Sequence, residues 1–121
     1  YKKMINEAAK TYPNFKAVAT TLRTVKTATV NDWSAICWAD GEIYKAKDYK
    51  GLEIMDRVGG GDSFASGFLH GILADMGSRK ALEFGLAAAA IKHTIPGDLN
   101  YITESEVLSM IESDGAGRVQ R

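Results

Sequence analysis

The amino-acid sequence predicts a mixed domain of strands and helices, α/β or α+β, with its site at a strand-to-helix turn. Three observations carry that reading. The first half holds short β-branched and apolar segments punctuated by turn residues, among them Asp40-Gly41. The second half places apolar residues at spacings of three and four, the period of a helix. Between the halves stands Gly59-Gly60-Gly61.

Residues 2–10 read as the tail of a helix, and Tyr12-Pro13-Asn14 breaks it, because proline disfavours helix in the residue before it. Residues 15–22, with Val18, Ala19, Thr20 and Thr21, form a β-branched run expected to be a buried strand. The polar, threonine-rich residues 24–31 are expected to form a loop. Residues 33–39 and 42–46 flank Asp40-Gly41, whose residues accept positive φ, so they are expected to pair as a hairpin. A further apolar segment, 49–55, leads into the glycine run. Contiguous glycines each cost a helix roughly 1 kcal/mol against alanine, which places 56–63 in a loop.

Phe64, Ala65, Phe68, Leu69, Ile72, Leu73 and Met76 then line one helix, ended by Gly77. Ser78 is the expected N-cap of a second helix, which carries Ala81, Leu82, Leu86, Ala89 and Ala90 toward His93. Its small residues, Gly85 and 87–90, allow close approach of a neighbouring backbone or of a flat ligand. After a loop at 94–100, Thr103 and Glu106 make a capping box for a third helix through Val107, Leu108, Met110 and Ile111. The tail, 115–121, reads as mobile.

With 121 residues, 45% of them hydrophobic and 25% charged, the chain is one globular domain long enough to bury a core. Fifteen basic residues balance fifteen acidic ones, so there is no large positive field of the kind that nucleic acid or an anionic membrane draws on. Neither is an expected partner. The single cysteine, Cys37, excludes an intramolecular disulfide and a multi-cysteine zinc site, and reads as a small buried side chain in a reducing, cytoplasmic setting. No apolar stretch approaches the ~18 residues of a membrane span, and no signal peptide opens the chain. A first residue Tyr1 inside a helical pattern reads as a piece of a longer protein.

The chemistry is expected at Gly59-Gly60-Gly61-Asp62. A helix N-terminus presents unpaired N–H groups and the positive end of its dipole, and glycine lets an anion approach the backbone without meeting a Cβ. The run is neither a Walker A loop, since no Gly-Lys-Ser/Thr follows, nor a dinucleotide fingerprint, since the glycines are contiguous. Asp62 has two readings: an N-cap accepting a backbone N–H, or a catalytic base. A carboxylate at a helix N-terminus is a weak base, which phosphoryl transfer through a loose transition state tolerates.

Residues 56–68, Asp-Arg-Val-Gly-Gly-Gly-Asp-Ser-Phe-Ala-Ser-Gly-Phe, resemble the C-terminal signature of the ribokinase-like (PfkB) carbohydrate kinases, Asp-Thr-x-Gly-Ala-Gly-Asp followed by a small-residue helix. The resemblance implies an α/β fold, ribokinase-like, with this chain as the C-terminal part of the large α/β domain. It places an anion hole for the transferred phosphoryl group on Gly59, Gly60 and Gly61, and removal of the sugar hydroxyl proton on Asp62. Residues 18–23, Val-Ala-Thr-Thr-Leu-Arg, resemble the nucleotide-contacting strand, and 86–98 the adenine-side helix and following loop. Nucleotide contacts are thereby implied at Thr21, Arg23 and Ala89, and a substrate contact at Asp98, whose other reading is a solvated turn aspartate.

Within the family, Thr21-Leu22-Arg23, residues 92–98 and the ending 117–121 are most similar to 2-keto-3-deoxygluconate kinases. The resemblance implies ATP, Mg²⁺ carried by the nucleotide, a monovalent cation such as K⁺ near the glycine turn, and a homo-oligomeric parent, while the residues themselves offer no His or Cys cluster for a protein metal cage. Three positions depart from the pattern. Arg57 stands where the family has threonine or another small residue, and either adds a phosphate contact or points to solvent. Leu86 replaces an asparagine beside the adenine, and Arg23 replaces a glycine.

Family members run to about 300 residues, the size of a large α/β domain with a lid. Residues 1–121 are accordingly expected to be the catalytic and nucleotide-binding portion, without the sugar-binding half and lid, and inactive alone because such a site must close and exclude water. Ribokinase or fructokinase activity, or a noncatalytic nucleotide-binding module, are the competing expectations.

Overall fold

The computed structural model describes residues 1–113. The tail expected to be mobile and the 117–121 motif lie outside them. Helix α1 (Lys2–Thr11) is followed by strands β1 (Ala17–Val25), β2 (Val30–Ala39), β3 (Glu42–Lys45) and β4 (Tyr49–Glu53). Helices α2 (Gly60–Leu73), α3 (Ser78–Lys92) and α4 (Glu104–Glu112) complete the order.

All strand pairs are antiparallel, with β2 at the centre. One edge of β2 pairs with β1 from Ala17↔Ala39 to Val25↔Asn31, and the other with β3 near its end and β4 near its start. Asp40 and Gly41 both have positive φ, 51° and 82°, and close the β2–β3 hairpin as their chemistry predicts. Side chains alternate between the two faces of β2. Trp33, Ala35 and Cys37 join the core beneath α3, while Trp38 flanks a groove with Lys3, Asn6 and Lys10 of α1. The sheet is therefore covered by α3 on one face and α1 on the other.

Five sequence expectations are corrected. The loop expected at 24–31 is half ladder. Thr24 and Val25 continue β1, leaving a short turn in which Thr27 Oγ1 accepts from the Val30 N–H at 3.0 Å. β-branched threonines suit an extended chain, and the partner strand completes their hydrogen bonds. Strand β1 is half-exposed rather than buried, because among the described residues it lies at the sheet edge. Ser78 is the first residue of α3, whose N-cap is Gly77 at φ 85°, and α2 ends at Leu73, short of Met76.

The fifth correction concerns the glycines. Gly59, at φ 81°, is the N-cap of α2, and Gly60 and Gly61 form its first turn. Tertiary packing overrides their poor propensity. Helices α2 and α3 cross on small residues: a Cβ on Gly67 would lie 2.9 Å from Gly85 Cα, and one on Gly71 would lie 2.5 Å from Ala81 Cα. Close contact with α2 thus accounts for Ala81, Gly85 and Ala88 on the small-residue face of α3. Thr103 caps α4, accepting from the Glu106 N–H at 3.2 Å.

Candidate active site

The start of α2 stands where β4 and the loop after it meet the end of α3. Within the first turn the backbone N–H groups divide into two sets. Gly60 donates to the Arg57 carbonyl at 3.1 Å and Ser63 donates to Gly59 at 2.8 Å, both inside the protein. The N–H groups of Gly61 and Asp62 find no acceptor among the described residues, and a Cβ built on Gly61 meets nothing within 4 Å. Two adjacent free donors at the positive end of a helix, open to solvent, form an anion-binding corner.

Asp62 is the third residue of α2, exposed, and its side chain makes no capping hydrogen bond. The capping position belongs to Gly59, so the cap reading of Asp62 is withdrawn and its carboxylate is available for other work. Gly59 lies under the loop that follows α3, where a Cβ would come within 2.7 Å of the Asp98 carbonyl oxygen. Asp98 therefore meets the turn through its backbone, with its side chain exposed.

Asp56 organises the two loops. Its Oδ1 accepts from the Val58 N–H at 2.9 Å and its Oδ2 from the Gly97 N–H at 2.7 Å, so one carboxylate ties the segment before the glycines to the loop after α3. The Val58 bond, then the Gly97 bond, with the Lys92 charge beyond them, hold its carboxyl below the usual carboxylate value. Arg57 follows neither expectation alone, since its guanidinium donates to the Ala28 carbonyl at 3.1 Å and pins the β1–β2 turn beside the site.

Beneath the turn sit Lys92 and His93, both buried. His93 Nε2 would be 2.7 Å from a Cβ on Gly60, and its ring meets Trp33 edge-on with centroids 4.9 Å apart. Burial first, then the charges of Lys92, Arg23 and Arg57, lower the His93 pKa from 6.5 to about 4, so the imidazole is neutral near pH 7. Lys92 runs under Gly59 and its ammonium donates to the Ile95 carbonyl at 2.7 Å.

The structure brings together Gly59, Gly60, Gly61, Asp62 and the Asp98 backbone. Thr21 and Arg23 pair with Ala35 and Trp33, on the α3-facing side of the sheet, and the Arg23 charge reaches His93. Ala89 and Leu86 are fully buried in the core and present no surface to a nucleotide in this structure. A groove of about 250 Å³ beside α2, lined by Ser63, Ser66, Ala88 and Asn100, contains none of the expected site residues. Asp56, Lys92 and His93 were not singled out from sequence. The available signal was their position, one at the head of the glycine motif and two at the end of an apolar helix where charged residues are seldom wholly buried.

Comparison with known proteins follows the same segment. The family model described as pfkB family carbohydrate kinase matches residues 12–104. A solved structure of 2-dehydro-3-deoxygluconokinase from Thermotoga maritima is 40% identical with a TM-score of 0.88, over 93% of this chain and 34% of that one. A PfkB family carbohydrate kinase from Listeria grayi is 33% identical with a TM-score of 0.85, over 89% of this chain and 34% of that one. Among curated relatives, a 2-dehydro-3-deoxygalactonokinase of Haloferax volcanii is 34% identical over 64% of this chain and 24% of its own length. The chain thus spans about a third of the solved relatives and a quarter of that curated one. With a family match running from the breaker before β1 to the first residue of α4, and the same fold in solved relatives, the chain belongs to the pfkB family of carbohydrate kinases.

Proposed function

We propose that the protein transfers the γ-phosphoryl group of ATP to a sugar acid, 2-keto-3-deoxygluconate, giving its 6-phosphate, and that residues 1–121 are the C-terminal catalytic portion of a longer kinase. The observation that carries the chemistry is the pair of free N–H groups on Gly61 and Asp62 beside an uncommitted Asp62 carboxylate. In this reading the donors receive the charge that gathers on the transferred phosphoryl group, and Asp62 accepts the proton of the attacking 6-hydroxyl as the new O–P bond forms. Gly59 and Gly60 set the turn so that both donors face outward. Thr21 and Arg23 lie on the strand assigned to the nucleotide, and Asp98 on the loop assigned to the sugar acid. The sugar-acid assignment draws on relatives named as kinases of dehydro-deoxy sugar acids.

Mg²⁺ would arrive on the nucleotide phosphates, where it neutralises charge. Among the described residues no group of three or more His, Cys, Asp or Glu side chains suits a metal ion. A monovalent cation does not fit the residues at the turn. Each Asp56 oxygen accepts one backbone N–H and keeps a lone pair, but the Lys92 charge already acts on the same carboxylate and would repel a second cation beside it. No helix among the described residues is long and apolar enough to cross a membrane; we place the reaction in the cytoplasm, with its ATP supply, and the parent as a homo-oligomer.

Leu69, Ile72 and Leu73 of α2 are exposed, Leu73 by 85%, a face that the remainder of a longer chain would cover. Residues 1–121 alone are accordingly expected to be inactive, and robust turnover by that chain would contradict the proposal. The test is ADP release by the full-length protein with ATP, Mg²⁺ and 2-keto-3-deoxygluconate, ribose, fructose or no sugar. Preference for the keto-deoxy acid supports the whole reading. Preference for ribose or fructose removes the substrate assignment, and ADP release that no sugar stimulates removes the kinase assignment.

A further inference from the structure

Lys92 ends α3 and is fully buried. Interior lysines ordinarily extend their charge to solvent or pair it with a carboxylate. Lys92 does neither. Its ammonium donates to the neutral Ile95 carbonyl, and among the described residues it joins no ion pair. A buried cation held by one neutral acceptor is costly to fold, and an apolar side chain of similar volume would serve packing better.

Its position supplies the reason for retaining it. The stem passes directly beneath the turn, with Cε 3.3 Å from where a Gly59 Cβ would be. Asp56, a carboxylate that feels its charge, has both oxygens engaged by the Val58 and Gly97 N–H groups and itself braces the turn. On the other side of that turn the Gly61 and Asp62 N–H groups face open space. In a low-dielectric interior the field of a fixed charge reaches through one layer of backbone.

We propose that the Lys92 ammonium is a fixed positive charge beneath the glycine turn, which positions the turn and offsets negative charge on the transferred phosphoryl group, so that no monovalent cation is required there. The proposal rests on the kinase reading above. Lys92 acts through the turn without touching the phosphoryl group, and is a positioning residue. It makes two statements that can fail separately: there is no specific monovalent-cation site, and the charge of Lys92 matters to turnover more than its bulk.

The test uses the full-length protein, wild type and Lys92→Met, a side chain of similar length without the charge. Melting temperature is first measured in KCl, NaCl and tetramethylammonium chloride at equal ionic strength. Wild-type values are expected to agree within about 1 °C, because a cation bound only to the folded state would raise Tm in its own salt; a K⁺-specific rise of several degrees overturns the proposal. Turnover with ATP, Mg²⁺ and sugar acid is then compared in the same salts. The wild-type rate is expected to change less than about twofold, while Lys92→Met loses about 100-fold in kcat with KM for ATP within about threefold.

A Lys92→Met protein that melts lower but keeps its kcat below that temperature shows a merely structural lysine and overturns the proposal. Should the variant fail to fold, Lys92→Gln replaces it for the charge, with full kcat overturning the proposal, and the wild type decides the cation: a tenfold fall of its rate in tetramethylammonium overturns the proposal, and an unchanged rate supports it. A wild type that phosphorylates no acceptor defeats the kinase reading instead. The melting comparison needs no turnover and still decides whether a cation site exists.

Discussion

Acidification provides a direct probe of the packing beneath the site, because His93 is forced to stay neutral by the fold. Its folded pKa is about 4, against 6.5 for a free imidazole, with burial the largest cause and the Lys92, Arg23 and Arg57 charges adding to it. Between those values the unfolded chain binds a proton that the folded chain refuses. Stability therefore rises with pH across this window, is fully present above about pH 6.5, and is lost as pH falls toward about 4. The gap is worth about 3 kcal/mol for one group. Asp32 and Asp56 carry lowered values, so what they contribute is lost only below their ordinary range, in a separate and more acidic window. Urea unfolding of the wild type and His93→Gln at several pH values between 7.5 and 4.5 measures the difference. The wild type should lose about 2.5 kcal/mol more than the variant over that range, which stops short of the folded pKa. Equal pH slopes for the two proteins, or an NMR titration of folded His93 with its midpoint near 6.5, would refute the reasoning.

Three substitutions test the geometry around it. Gly60→Ala sets a methyl group 2.7 Å from His93 Nε2, and the ring has Trp33 against it, so the variant should lose about 1–3 kcal/mol in thermal or urea unfolding. Gly85→Ala places a Cβ 2.7 Å from the Phe64 carbonyl and 2.9 Å from the Phe68 nitrogen, so α2 and α3 must separate and Tm should fall by several degrees. Asp62→Asn should lower kcat by about 10²–10⁴-fold with ATP affinity, read by calorimetry, nearly unchanged. Its Tm should fall by no more than a few degrees, the loss of one first-turn charge, because among the described residues the carboxylate accepts no hydrogen bond.

The fold was legible wherever a local rule matched the tertiary outcome. Asp40-Gly41 closes a hairpin because the positive-φ requirement is satisfied within two residues. Thr103 with Glu106 opened α4 for an equally local reason. The threonine-rich stretch misled because its polarity resembles a loop while its β-branching suits a strand, and only the long β2 opposite it decides between them. Gly77 and Ser78 were displaced by one position, since either residue can cap and the preceding turn, with Asp75 at φ 56°, sets which one does. At the site, the glycine run and Asp62 could be read from spacing. Lys92 and His93 could not, because their significance is burial beneath a turn that lies more than thirty residues earlier in the chain.

The three glycines show why spacing alone under-determined the site. Sequence reasoning gave all of them one purpose, admission of an anion to the backbone, but each meets a different neighbour. Gly59 adopts positive φ under the Asp98 carbonyl, and Gly60 faces inward onto His93. These two are glycine because the protein's own packing leaves no room for a Cβ. Gly61 has neither constraint: its φ is not positive and a Cβ would meet nothing within 4 Å. Folding therefore gives no reason for glycine at 61, and alanine is the better helix former by up to about 1 kcal/mol. Only the space above it, where an anion would approach the Gly61 and Asp62 N–H groups, argues for the missing side chain. Gly61→Ala should accordingly melt at or above the wild-type temperature while losing at least about tenfold in kcat, since a donor no longer reached by the transferring group is worth that much or more. Gly60→Ala should do the opposite in the melt, and the contrast separates packing from chemistry within one helical turn. A Gly61→Ala protein with full turnover would move the phosphoryl group away from this face of α2.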